Sequence, residues 1–178
     1  MRTLMLRFAL VAFVLPAVSI RPTHAQQAKA ADLAPIPTQI ATAKNAFVAN
    51  AGGECSPFGK TEFSGGPNAA YNELYAAMKQ WGHFTLVSVP ANADLVMEIH
   101  FTCPVYIEEK SGWDVDAQLR LIFLDPKTRI LLWAITEHSQ PAKLKGNRDK
   151  EFGLAMGRLV SDVKSLVVMA ADQPSPNK

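Results

Sequence analysis

The segment from Val115 to His138 constrains this chain more than any other. Two extended apolar runs, Val115–Leu124 and Ile130–His138, flank Asp125-Pro126-Lys127-Thr128-Arg129. Pro and Asp at these positions favour a tight turn, so the segment predicts an antiparallel hairpin. Arg129 falls where a left-handed residue, usually glycine, is preferred. If Asp125 pairs near Ile130, Leu119, Leu121 and Phe123 share a face with Leu132 and Ala134. The opposite face then carries Ile122, Leu124, Leu131, Trp133 and Ile135. An antiparallel sheet with one wet face should be polar there. Either the leader or the loop 52–66 covers this second face, or it is a dimer or partner surface centred on Trp133.

The other elements follow from period and punctuation. Asp94–Thr102 alternates, with Leu95, Met97, Ile99 and Phe101 on one side and Val96, Glu98, His100 and Thr102 on the other. Ala46–Ala49 and Phe84–Val89 predict two further strands. Tyr71, Leu74, Met78 and Trp81 form a helical stripe that opens after Pro67 and stops at Gly82. Asp149 to Ala170 predicts the last helix, with Phe152, Met156, Leu159, Val160, Val163 and Val167 buried. The expected fold class is α+β: a single mostly antiparallel sheet, order β-α-β-β-β-β-α, with two helices packed on one face.

Residues 1–25 read as a secretory signal peptide. Arg2 and Arg7 precede the apolar run Phe8–Ile20, which is shorter than the roughly 20 residues a membrane span needs. Cleavage is expected after Ala25, with no cysteine there to carry a lipid anchor. Residues 26–37 read as a flexible leader, 38–171 as one domain and 172–178 as a disordered tail. The formal net charge of +2 is misleading, because the signal removes Arg2, Arg7 and Arg21 and leaves −1. Nucleic-acid binding loses its electrostatic basis with that change.

Cys55 and Cys103 are the chain's only thiols. In an exported protein such a pair is expected to be a disulfide, tying the Gly-rich loop to the end of a strand. A Cys103–His100 catalytic pair is disfavoured, because residues three apart on a strand point to opposite faces. Glu98 and His100 share a face, and His138 could join them as a metal set. A polar strand surface would look the same. Lys143, Lys145, Arg148 and Lys150 form a basic loop run that is either solvated or an anion contact. No nucleophile elbow or zinc-protease motif occurs, and no cofactor is implied.

Ala93-Asp94-Leu95, Leu124-Asp125-Pro126-Lys127-Thr128, Leu132-Trp133 and the closing helix resemble uncharacterised exported bacterial envelope proteins, many of them small lipoproteins. The element order is more loosely similar to the TolB N-terminal domain and to lipoprotein activators of penicillin-binding proteins. The resemblance implies an exported binding or adaptor domain, periplasmic or secreted, whose partner is another envelope protein or a second copy. It carries over no catalytic residues. The alternatives are a small metal-dependent hydrolase or a small-ligand carrier.

Overall fold

The computed structural model describes residues 34–53, 55, 63–108 and 112–173. The expected signal peptide 1–25, the leader up to residue 33 and the tail from 174 lie outside the described residues. The elements are α1 (Gln39–Thr42), β1 (Asn45–Asn50), α2 (Ala69–Trp81), β2 (Thr85–Leu86), β3 (Leu95–Thr102), β4 (Val105–Glu108), β5 (Gly112–Val115), β6 (Gln118–Leu124), β7 (Leu131–His138) and α3 (Lys145–Asp172). The fold is α+β, with one five-stranded sheet in the order β2-β1-β3-β6-β7 and a separate β4–β5 ribbon.

The sheet is mixed. β1 pairs in parallel with β2 and β3, while the β3–β6 and β6–β7 pairs are antiparallel. The parallel half follows from the connection. After β1 the chain runs through α2 and must return before it can lie beside β1 again, which gives parallel neighbours. The antiparallel half contains the hairpin. Both long helices cover one face of the sheet. There Ala46 and Val48, Leu95, Met97, Ile99 and Phe101, and Leu119, Leu121 and Phe123 are buried against Leu74 and Met78 of α2 and Phe152, Leu159 and Val163 of α3. The rings of Phe63, Phe101 and Phe152 meet at centroid distances of 5.0–5.9 Å and close one end of this core.

Several boundaries differ from the sequence expectation. Val115 ends β5, and β6 begins only at Gln118. The Asp116 N–H between them donates to the Pro104 carbonyl, which turns the chain out of one ladder and into the next. Of Phe84–Val89 only Thr85 and Leu86 pair as strand. The last helix starts at Lys145 rather than Asp149. Asp149 instead accepts hydrogen bonds from the Ser64 N–H and Oγ, both at 2.8 Å, which pins the turn before α2 to α3. Those bonds hold its carboxyl below the usual range. At the other end of α3, Gln173 Oε1 accepts a bond from the N–H of buried Ile36.

The hairpin needs one correction of consequence. The Asp125 N–H does donate to the Ile130 carbonyl, and Leu124 does pair with Leu131. Then a β-bulge intervenes, so that Phe123 pairs with Trp133, Leu121 with Ile135 and Leu119 with Glu137. A slip of one residue sends every later side chain to the other face. Trp133 and Ile135 therefore lie on the helix side, packed against the core, and Ala134 lies on the outer side. Trp133 is not the centre of an outward surface. Trp133→Ala is expected to lower unfolding free energy by about 2 kcal/mol, less than full aromatic truncation because the ring is half-buried. Leu131→Ala, half exposed on the other face, is expected to cost under about 1 kcal/mol. Urea titration of both variants checks the face assignment, and equal losses would contradict it.

Candidate functional site: the open face of the sheet

The face opposite the helices is built by register. His100 lies opposite Arg120, which lies opposite Thr136. One step toward the ribbon, Thr102, Gln118 and His138 form the next row; one step the other way, Glu98, Ile122 and Ala134 form another. Leu124 and Leu131 close the row beyond, with Leu124 buried and Leu131 half exposed. The outward candidates Ile122, Leu124 and Leu131 therefore share this face with the polar candidates Glu98, His100 and His138. Trp133 and Ile135 are on the reverse side.

At the centre is a shallow hollow of about 280 Å³, lined by His100, Thr102, Gln118, Arg120, Ile122 and Leu131. Its polar wall is organised. Glu98 Oε1 lies 3.2 Å from His100 Nε2, and Asp116 Oδ1 lies 2.7 Å from His138 Nδ1. Gln118 also donates to Asp116. Partial burial opposes ionisation of Asp116, but these two hydrogen bonds outweigh it and its carboxyl sits below the usual range. Arg120 is exposed and has no carboxylate partner among the described residues. Sequence reading did not single it out. Its signal was available, since Arg120 is the one charged residue in the strand Gln118–Leu124.

The proposed metal set does not assemble. His138 sits two strands from Glu98 and two rows along, a separation that no single cation bridges. Among the described residues no three His, Cys, Asp or Glu side chains could hold a metal ion. The basic run near α3 also has an internal use: the Arg148 guanidinium donates to the carbonyls of Ala142 and Lys143.

Cys55 and Cys103 form a disulfide, with Cα atoms 5.0 Å apart. It anchors the segment after β1 to the end of β3, beside the polar end of the open face.

The residues that carried the family resemblance meet elsewhere, at the opposite end of the sheet. Asp94 accepts bonds from the N–H groups of Lys44 and Asn45 at the start of β1. Asp125 accepts from the Lys127 and Thr128 N–H groups, the Thr128 hydroxyl and the Gln39 amide. The Thr128 backbone bond and the Gln39 bond lead in holding the Asp125 carboxyl down to about 2. Gln39 also donates to the Asp94 carbonyl, so α1, β1, β3 and the hairpin turn are latched together. These residues serve the fold. The cleft they line, about 440 Å³, has its carboxylates already satisfied.

No protein-family model and no curated protein matches the sequence. Solved structures with a similar arrangement do exist. A protein of Xanthomonas campestris from a family of unknown function is 13% identical, with a TM-score of 0.48 over 79% of this chain and 93% of its own. A PelC dodecamer from Paraburkholderia phytofirmans is 15% identical, with a TM-score of 0.44 over 67% of this chain and 86% of its own. A lipoprotein of Neisseria meningitidis is 16% identical, with a TM-score of 0.35 over 70% of this chain and 98% of its own. At these identities and scores the likeness is one of general arrangement and transfers no residue role.

Proposed function

We propose that this chain is an exported, non-enzymatic binding domain of the bacterial cell envelope, and that it meets its partner protein through the open face of the sheet. One observation carries the reading. A single hollow sets the Arg120 guanidinium, which has no carboxylate partner among the described residues, beside the apolar side chains of Ile122 and Leu131. A guanidinium next to aliphatic surface suits a partner residue that offers a carboxylate on an apolar stem, and arginine is over-represented among energetically dominant interface residues. The disulfide fits an oxidising compartment. No helix of the described residues is long and apolar enough to cross a membrane. A small-ligand carrier would use the same hollow, with a carboxylate-bearing small molecule in place of the partner residue.

The test is capture from envelope extract by immobilised protein, with Arg120→Glu and Ile122→Asp beside the wild type. Both variants are expected to weaken capture roughly tenfold or more, about 1.4 kcal/mol, while keeping a cooperative thermal transition. Full capture by a folded Arg120→Glu protein would sink the reading. Loss of capture together with loss of the transition would be uninformative for Ile122→Asp alone, which is why the exposed Arg120 position decides.

A further inference from the structure

We propose that β7 is a self-association edge, pairing antiparallel with β7 of a second copy across a two-fold axis. The inference concerns a different surface and does not depend on what the open face binds. The two edges of the sheet are unequal. β2 is two residues long, whereas β7 is eight and, among the described residues, pairs with β6 alone. A long open edge offers unpaired N–H and C=O groups to any extended chain, and proteins usually blunt such an edge with Lys, Pro or shortness. Leu131–His138 contains no Lys, Arg or Pro. Its one carboxylate, Glu137, is held by Arg158 at 2.8 Å.

The free backbone groups can be identified. The Ser139 N–H donates inward to the Ala117 carbonyl. By strand alternation the N–H groups of Ala134, Thr136 and His138 then point away from β6. The His138 carbonyl is taken by Arg158, which leaves Ala134 and Thr136 with both groups facing outward.

A second copy fits this edge better than an unrelated strand, for three reasons. The antiparallel ladder is self-complementary under a two-fold axis. With the axis at Ala134, Trp133 lies opposite Ile135 of the second copy, and no like charges meet along the two strands. The helix above the edge also fits. α3 packs on both β6 and β7 and is joined to β7 by Arg158. A helix axis about half a strand spacing inboard of β7 puts the two α3 helices roughly 10 Å apart when the strands pair at about 4.8 Å, an ordinary helix packing distance. Leu154 lies one turn before Arg158 and Met169 three turns after it, on the same side of α3, and each is 49% exposed. Arg158 reaches the outward His138 carbonyl, so Leu154 and Met169 lie on the side of α3 turned toward the second copy. Pairing also joins the two open faces into one continuous surface.

Sedimentation and light scattering on the full chain, purified as the host cell leaves it, test this over roughly 1–100 µM. The wild type is expected to be a dimer in the upper part of that range. Ala134→Pro removes an outward N–H without touching the β6 ladder and is expected to give a monomer. Leu154→Glu, on exposed helix, is expected to weaken association roughly tenfold or more, and it decides the matter if the proline variant fails to fold. A wild type that stays monomeric throughout overturns the proposal, as does a dimer that survives both substitutions. A monomer that still captures a partner through Arg120 would overturn this proposal and leave the open-face reading standing.

Discussion

Replacing Cys55 and Cys103 together with alanine is expected to cost about 4 kcal/mol of unfolding free energy. The bond joins residues separated by 48 positions, and the enclosed segment contains α2, β2 and all of β3. Opening a loop of that size returns a large conformational entropy to the unfolded chain, while the folded contacts change little. For a domain of this length the loss corresponds to a fall in melting temperature of roughly 12 °C. Reduced wild type provides the comparison that isolates the cross-link. Cys55 is 2% exposed, so alanine there also removes buried sulfur, whereas reduction keeps the sulfur in place. Urea titrations of the oxidised, reduced and doubly substituted chains are expected to fall in that order of stability, with the first step the larger. A reduced chain within about 1 kcal/mol of the oxidised one would mean that the segment after β1 is already ordered in the unfolded ensemble.

The disulfide was legible because the sequence holds only two cysteines and the expected export would give them an oxidising compartment. The alternation of β3, the stop at Gly82 and the turn from Asp125 to Arg129 were legible for a related reason: each is fixed by residues within a few positions of itself. Arg129 adopts φ 60°, the conformation its place in the turn demands. The bulge opposite Leu124 was not legible. Leu131-Leu132-Trp133-Ala134-Ile135 is apolar at every position, so either alternation satisfies a hydrophobic core and no residue type marks the slip. That one ambiguity moved Trp133 and Ile135 from a surface to the core side of the sheet. The parallel neighbours of β1 were also beyond local reading. Periodicity reports which side of a strand is buried and says nothing of which strand lies beside it.

Gly53→Ala is the sharper test of the same region and is expected to destabilise by about 3 kcal/mol or more. After β1 the chain continues alongside β3, with the Ala51 N–H donating to Ile99 and the Phe101 N–H donating to Gly52. Gly53 then passes directly against the β3 backbone. A Cβ at this position would stand 1.9 Å from the Phe101 carbonyl oxygen, and the residue holds φ +114°, a conformation rarely open to other residues. Backbone cannot rotate aside as a side chain can, so the whole extension must lift from β3. Gly52→Ala is the internal control. Gly52 also has positive φ, at +76°, but a Cβ there meets nothing within 4 Å, and the expected cost is only about 1 kcal/mol. Equal losses at the two positions would show that conformation alone, and not close approach, requires the glycine. The disulfide adds a second comparison. While Cys55 is tied to Cys103, the extension cannot retreat, and the clash is felt in full. In the chain lacking both cysteines it can peel away, so Gly53→Ala is expected to cost less there than in the oxidised chain. Such non-additivity is expected of neighbours that share one constrained segment. A double-mutant cycle by urea titration measures it, and strict additivity would mean that the loop is held to β3 by something other than the cross-link.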